Sequence, residues 1–201
     1  MTEHYFSNSP ETAHERAQFT FELKGKKFIF NTDSHVFSKN TIDFGSRVLI
    51  DAFDDSELPE GALLDVGCGY GPMGLSLAYS TGRFVEMVDV NERALGLAKE
   101  NAAANGIEQV DIHVSSIYEV TNQESYAGIV SNPPIRAGKQ VVHGILEGAY
   151  PLLKEGGSLT VVIQKKQGAP SAQKKMAEVF GNCEIVTKEK GYLILRSVKE
   201  A

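Results

Sequence analysis

The stretch LLDVGCGYGPMG, residues 63–74, decides how the rest of the chain is read. With Ala62 before it, LLDV completes a short apolar run over 62–66 that holds a single acid, Asp65. Glycines at 67, 69 and 71 follow, and GYGPMGLSLAYS then opens a helical pattern. That is a strand, a glycine turn and a helix, the unit from which parallel sheets are built. Downstream the same rhythm repeats. RFVEMVDV (83–90) is strand-like, and NERALGLAKENAAANG (91–106) is a helix with Asn91 as N-cap and Gly106 just past its end. VDIHVSS (110–116) and YAGIVS (126–131) are strands. A helix is expected over 138–156, closed by Gly156-Gly157, then a strand at 158–165 and a helix at 170–181. Alternation of this kind predicts an α/β fold with a mostly parallel sheet covered on both faces.

The ends of the chain break the rhythm. CEIVTKEK and GYLILRSV are separated only by a turn, too short for a parallel crossover. They predict an antiparallel hairpin, so that the sheet ends in one reversed C-terminal strand. Upstream, QFTFELKGKKFIF alternates apolar and polar residues around Gly25-Lys26, as a β-hairpin does, and residues 41–53 are helical. Residues 1–56 therefore read as a hairpin-and-helix extension of the same domain, and 57–201 as the core that carries the glycine loop.

With 201 residues and 42% hydrophobic content, the chain has material for a sizeable single core. No apolar stretch approaches the ~18 residues of a membrane span, and the N-terminus lacks the apolar centre of a secretory signal. Cys68 and Cys183 stand alone, without Cys or His at metal-ligand spacing. The expectation is a cytoplasmic protein with reduced thiols, no metal and no membrane contact. A net charge of −6 argues against a general nucleic-acid coat but leaves room for a local basic groove.

The glycine loop sits where α/β folds bind ligands. Gly69, Gly71 and Gly74 match G-x-G-x-x-G, and Asp89 lies 20 residues beyond Gly69, at the end of the next strand, where an acid holds ribose hydroxyls. NAD and S-adenosylmethionine both fit that pattern. Asp65 separates them. Its carboxylate should face the middle of the ligand, where it would repel a pyrophosphate by about 4 kcal/mol per charge pair and attract an ammonium and a sulfonium. Gly67, Cys68, Gly69 and Gly71 line this cofactor loop, with Asn91 supporting Asp89.

A second motif, SNPPIRAGK (131–139), follows the buried run before it. Neither Pro133 nor Pro134 can donate a ladder hydrogen bond, so the strand stops at Asn132 and leaves an amide and bare carbonyls at its end.

The motifs DVGCGYG, VDVN and SNPPI and the closing hairpin stand in one order and spacing, and over most of its length the chain resembles the class I S-adenosylmethionine-dependent methyltransferases. SNPPI resembles the Asn-Pro-Pro-aromatic motif of enzymes that methylate planar amino nitrogens. With HVFSKNTIDFGSRVLI (35–50) ahead of the glycine loop, the chain is similar to the small-subunit ribosomal RNA guanine-N2 methyltransferase group. The resemblance implies a Rossmann-like sheet, S-adenosylmethionine as methyl donor with S-adenosylhomocysteine as product, and ribosomal RNA or the small ribosomal subunit as partner.

It also implies roles for residues. Asn132 accepts one N–H of an exocyclic amine through its side-chain oxygen, and the Pro133 carbonyl accepts the other. Pro134 stiffens the turn, and Ile135 takes the place of the usual base-stacking aromatic. Asn132 also lies against the cofactor, and Ser116 stands where many such enzymes carry an acid near the adenine. Phe37 is a candidate lid, with Arg136 and Lys139 candidate phosphate or base contacts. Two departures matter. Ile135 is a poorer platform than an aromatic ring, and larger members of the group carry a further N-terminal domain. Methylation of a protein glutamine amide, a non-catalytic cofactor- or RNA-binding module and NAD-dependent oxidoreduction remain as alternatives.

Overall fold

The computed structural model describes residues 16–33 and 41–201. Strands β1 (Ala17–Leu23) and β2 (Lys26–Thr32) form a separate two-stranded antiparallel hairpin. Lys24 and Gly25 turn it with φ of +53° and +79°, the left-handed pair that matches strand twist. Helix α1 (Phe44–Ala52) follows. The core then runs β3 (Leu63–Val66), α2 (Pro72–Thr81), β4 (Val85–Asp89), α3 (Glu92–Ala104), β5 (Val110–Val114), β6 (Tyr126–Ser131), α4 (Lys139–Leu152), β7 (Leu153–Gln164), α5 (Ala169–Phe180), β8 (Glu184–Glu189) and β9 (Tyr192–Val198).

Seven strands form one sheet in the order β5-β4-β3-β6-β7-β9-β8. Pairings among the first five are parallel. The expected C-terminal hairpin is there, but its reversed strand is not the edge. β9 is inserted antiparallel between β7 and β8, and β8 closes the sheet running with the majority. The chain winds from β3 outward to β5, then returns to start β6 beside β3. That reversal opens a crevice at the carboxyl ends of β3 and β6.

Period-2 alternation assigns the two faces. Leu63, Val130, Val162 and Ile194 enter one buried cluster with α1, α2, α3 and the hairpin residues Phe28 and Phe30. Leu64, Ile129, Val161 and Leu195 enter a second cluster with α4 and α5. Asp65 is on the Leu63 face of β3, and Asn132 continues the Val130 face of β6. Both therefore point to the side that α1 and α2 cover.

One boundary differs from expectation. Helix α4 stops at Leu152, and β7 begins at Leu153, which pairs with Tyr126. Pro151 has no N–H to extend the helix, and Lys199 Nζ donates to the Tyr150 and Leu153 carbonyls at 2.9 and 3.0 Å. Gly156 and Gly157 lie inside the irregular start of β7, bonded to Lys199 through its backbone. A side chain at 157 would meet the Ala127 carbonyl at 2.8 Å, so these glycines permit strand approach and do not end the helix.

The hairpin is docked by an amide ladder that the sequence pattern does not announce. Asn101 and Asn105 lie one helical turn apart on α3. Asn105 donates to the Ile29 carbonyl and accepts from its N–H, both at 2.8 Å. Asn101 accepts from the Asn31 N–H at 2.7 Å and donates to the carbonyls of Asn31 and Tyr70. The free edge of β2 is thus paired by a helix, and the glycine loop is tied to it through Tyr70. Among the described residues, no helix is long and apolar enough to cross a membrane.

Candidate active site

The loops at the carboxyl ends of β5, β4, β3 and β6 are neighbours in that order. They bring together Asp65, the 67–71 loop, Asp89, Asn91, Ser116 and Asn132–Ile135. Phe37 lies outside the described residues.

The glycine loop is shaped by backbone geometry. Gly67 and Gly69 have φ of +77° and +57°, and an ideal Cβ on either meets no atom within 4 Å. Neighbour crowding does not call for glycine at these two positions; the left-handed conformation does, and the space above the loop is open. Gly71 caps α2 in the same conformation, and Pro72 supplies the first turn, where its missing N–H costs nothing. Cys68 is buried, with its thiol at 3.6 Å from the Gly69 carbonyl and its pKa raised by burial and then by Asp65.

Asp65 is 1% exposed, and its Oδ2 is the one buried side-chain polar atom among the described residues without a hydrogen-bond partner. Burial pushes its acid up to about 7. The Gly74 N–H opposes that rise, and the charge of Asp89 adds to it. Native proteins rarely leave such a group unanswered. A cation in the adjoining crevice answers it, and an anionic pyrophosphate does not. The donor set therefore fits a ligand with a positive centre above the glycine loop.

Asp89 is tied at both oxygens. Gly69 N–H donates to Oδ2 at 2.8 Å, and Asn91 N–H donates to Oδ1 at 2.9 Å. Each oxygen keeps lone pairs for a further donor, so the carboxylate is aimed and still able to accept two hydroxyls. Asn91 serves twice: its backbone supports Asp89, and its Oδ1 caps α3 by accepting from Ala94 N–H at 3.2 Å. Ser116 is exposed. The neighbouring Ser115 is buried and anchors the loop, donating to the Ile117 carbonyl and accepting from Val120 N–H. Val90 and Val114, 67% and 49% exposed, flank Asp89 as uncovered apolar surface. Neither stands out in the sequence, because a valine at a strand end has the same pattern as one in the core.

Ser131 pairs with Val66 and donates to its carbonyl at 2.8 Å. Asn132 therefore leaves β6 beside Gly67. Its Nδ2 donates to Asp43 Oδ2 at 2.8 Å and to Ser46 Oγ at 3.1 Å. Asp43 is itself the N-cap of α1, accepting from Ser46 N–H at 3.1 Å. Among the described residues no donor occupies Asn132 Oδ1 or the Pro133 carbonyl. Pro133 is buried. Pro134 is exposed and starts a one-turn helix at Ile135–Ala137. Ile135 packs partly against the second apolar cluster, whereas Arg136 and Lys139 are exposed.

Exposed cations continue along this edge. Lys165 and Lys166 follow β7, and Lys188 and Lys190 stand at the β8–β9 turn, which Lys165 N–H joins through the Gly191 carbonyl at 2.8 Å. Lys175 is instead paired with Glu147. His113, given no role by sequence, joins a polar knot around the fully buried Glu86, which also accepts from Tyr126 OH and Asn122 N–H. Partial burial works against protonation of His113, but its bonds to Glu86 and the Val114 carbonyl outweigh that and raise its pKa. Glu86, Asp111 and His113 could together reach one metal ion, yet each is already hydrogen-bonded within the knot.

Comparison with known proteins gives the family. The family model described as the methyltransferase small domain matches residues 27–196, and the chain belongs to that family. It is 51% identical to the uncharacterized Bacillus subtilis protein YbxB over 99% of this chain and all of that one. It is 26% identical to the ribosomal RNA large subunit methyltransferase G of Cronobacter sakazakii, over 98% of this chain and 53% of the relative. With the ribosomal RNA small subunit methyltransferase C of Erwinia tasmaniensis it shares 31% identity, over 82% of this chain and 47% of the relative. The chain thus spans about half the length of these two ribosomal RNA enzymes. Among solved structures, a T. thermophilus 16S ribosomal RNA N2 methyltransferase bound to AdoMet and guanosine superposes with a TM-score of 0.82 at 24% identity, over 92% of this chain and 51% of that one.

Proposed function

We propose that this member of the methyltransferase small domain family methylates an exocyclic amino nitrogen of a nucleobase in ribosomal RNA, with guanine N2 of the small subunit as the target. The observation that carries the reading is the register of β3 and β6. Val66 opposite Ser131 sets the Asn132-Pro133 acceptors directly beside the glycine loop. An amine held by one group is then next to a ligand held by the other.

S-adenosylmethionine, bound over Gly67–Gly71, supplies an electrophilic methyl on a sulfonium. Asp65 meets the positive end of that cofactor, Asp89 holds the ribose hydroxyls, and Val90, Val114 and Ser116 border the adenine. On the substrate side the lone pair of a ring-conjugated amine is delocalised, and the amine is a weak nucleophile. Asn132 Oδ1 and the Pro133 carbonyl each accept one N–H. Two fixed acceptors turn the nitrogen toward pyramidal geometry and aim its lone pair. Neutral hydrogen bonds contribute only about 1 kcal/mol each, but alignment of reacting atoms contributes several times that. No general base is needed before transfer, because the ammonium product loses its proton readily to water. Arg136, Lys139, Lys165 and Lys166 face the RNA backbone from the side away from the cofactor. Such an enzyme works in the cytoplasm, where its substrate is made.

The test is methyl transfer from labelled S-adenosylmethionine to small and large ribosomal subunits taken from cells lacking the gene, followed by nucleoside analysis. N2-methylguanosine from the small subunit is expected. Asn132→Ala should lower turnover by about 100-fold or more while leaving S-adenosylhomocysteine affinity within about twofold. Label recovered in protein and absent from RNA, or normal turnover by Asn132→Ala, overturns the assignment.

A further inference from the structure

We propose that Asp43 is a positioning residue that decides which end of the Asn132 amide meets the substrate. The inference rests on the nucleobase-amine reading above, and deepens it. An amide side chain is nearly symmetric in shape but opposite in hydrogen-bonding sense at its two ends. Only the oxygen end can accept an amine N–H. Turned over, Asn132 would present its own N–H to the substrate's N–H and hold the nitrogen away.

The structure settles the orientation by chemistry. Asn132 Nδ2 lies 2.8 Å from Asp43 Oδ2 and 3.1 Å from Ser46 Oγ. An amide NH2 has two hydrogens, and here each has an acceptor. A carboxylate only accepts, so the flipped amide would set oxygen against oxygen at 2.8 Å. The clamp is itself rigid. Asp43 Oδ2 also takes the Ser46 N–H at the start of α1, and Ile42, Leu49 and Ile50 anchor that segment in the core. Asp43 and Asn132 are 89 residues apart, and the packing of α1 against β7 and β9 of the same sheet brings them together.

Two sets of variants test this in the labelled-methyl assay on ribosomal subunits. Serine keeps a helix cap but is too short to reach Asn132 as well. Asp43→Ser should therefore lower kcat about 10- to 100-fold, with KM for RNA and S-adenosylhomocysteine affinity within about twofold. The second set reverses the bond. Asn132→Asp alone sets two carboxylates in contact and should be nearly inactive. Adding Asp43→Asn restores one donor and one acceptor of the same shape, leaves a carboxylate oxygen toward the substrate, and should raise kcat at least about tenfold over the single variant. A helix-capping role alone gives no such recovery, because asparagine and aspartate cap equally well.

Wild-type kcat in Asp43→Ser, or no recovery in the reversed pair, overturns the proposal. If Asp43→Ser does not fold, the reversed pair, which keeps the cap, decides. Asn132→Ala run alongside separates the two readings. Normal turnover there removes the amine reading itself, whereas its loss together with a normal Asp43→Ser removes only the clamp.

Discussion

Asp65→Asn should make the cofactor-free protein more stable at pH 8 and much less able to bind its cofactor. The reasoning starts from a carboxylate whose Oδ2 has no partner and whose acid is pushed from 3.8 up to about 7, by burial first. The folded state holds this proton more tightly than the unfolded chain does. Stability from this group is thus complete below about pH 4 and is lost as pH rises through about 7. At about 1.4 kcal/mol per tenfold, the whole loss is on the order of 4 kcal/mol. Asparagine cannot ionise and escapes it. In urea unfolding, the variant should gain up to about 4 kcal/mol over wild type at pH 8, less than about 2 kcal/mol at pH 5 and little or nothing at pH 3. In a domain this size that gain raises Tm by roughly 8–15 °C. Ligand binding should show the opposite preference. A cation facing Asp65 favours the ionised form, so S-adenosylmethionine affinity should rise with pH through about 7 in wild type and be weak and nearly flat in the variant. A stability difference equal at pH 5 and pH 8 would refute the unpaired-carboxylate argument.

Three further outcomes follow from packing and charge. Asn101→Ala removes the amide that joins β2, α3 and the glycine loop and strands several buried backbone groups; a loss of roughly 2–4 kcal/mol and early proteolysis within residues 17–32 should be measurable. Gly74→Ala places a Cβ 2.6 Å from Met87 Sδ, so it should cost about 1–3 kcal/mol in urea unfolding, and Met87→Ala in the same chain should return part of it. Replacing Lys165 and Lys166 by Glu should raise KM for RNA and flatten its salt dependence, while S-adenosylhomocysteine affinity measured by calorimetry stays unchanged.

The features legible in the sequence share a local origin. Strand–turn–helix alternation, the cap at Asn91 and the period-2 pattern of the hairpin each depend on residues within a turn or two of one another, and each is found. The misplaced features depend on partners far along the chain. The end of α4 is set by Pro151 together with Lys199, about fifty residues later, so the glycine pair at 156 and 157 looked like the natural stop. The reversed strand was expected from the short turn before it, but nothing in GYLILRSV states that it slots inside β8. Asp43 read only as part of a helical segment, because its bond to Asn132 spans 89 residues. Asn101 and Asn105 did leave a trace, two amides one turn apart in an alanine-rich helix. A helix face with that spacing can mimic a strand edge.

Among the described residues, the one buried side-chain polar atom without a partner and the one β-branched residue in the left-handed region both lie at the carboxyl edge of this sheet, and that coincidence is itself an argument for where a ligand binds. Asp65 has its lone carboxylate oxygen at the end of β3. Gly67, Gly69 and Gly71 hold left-handed conformations in the next residues. After β5, Ile117 has φ of +53°, which a β-branched side chain adopts only under constraint. Strain of this sort costs on the order of 1–3 kcal/mol and persists only where the surroundings over-determine it. Here the surroundings are Ser115, bonded to the Ile117 carbonyl, and α4, whose Gly144 leaves just enough room for the isoleucine. Among the described residues of the hairpin and α1, by contrast, no buried side-chain polar atom lacks a partner. A chain selected for stability alone would relieve Asp65 and Ile117 by single substitutions. Keeping both at the rim of one crevice is what a preorganised binding site requires, because a loop already held in its bound shape, and a charge already stripped of water, need not be rearranged when the ligand arrives.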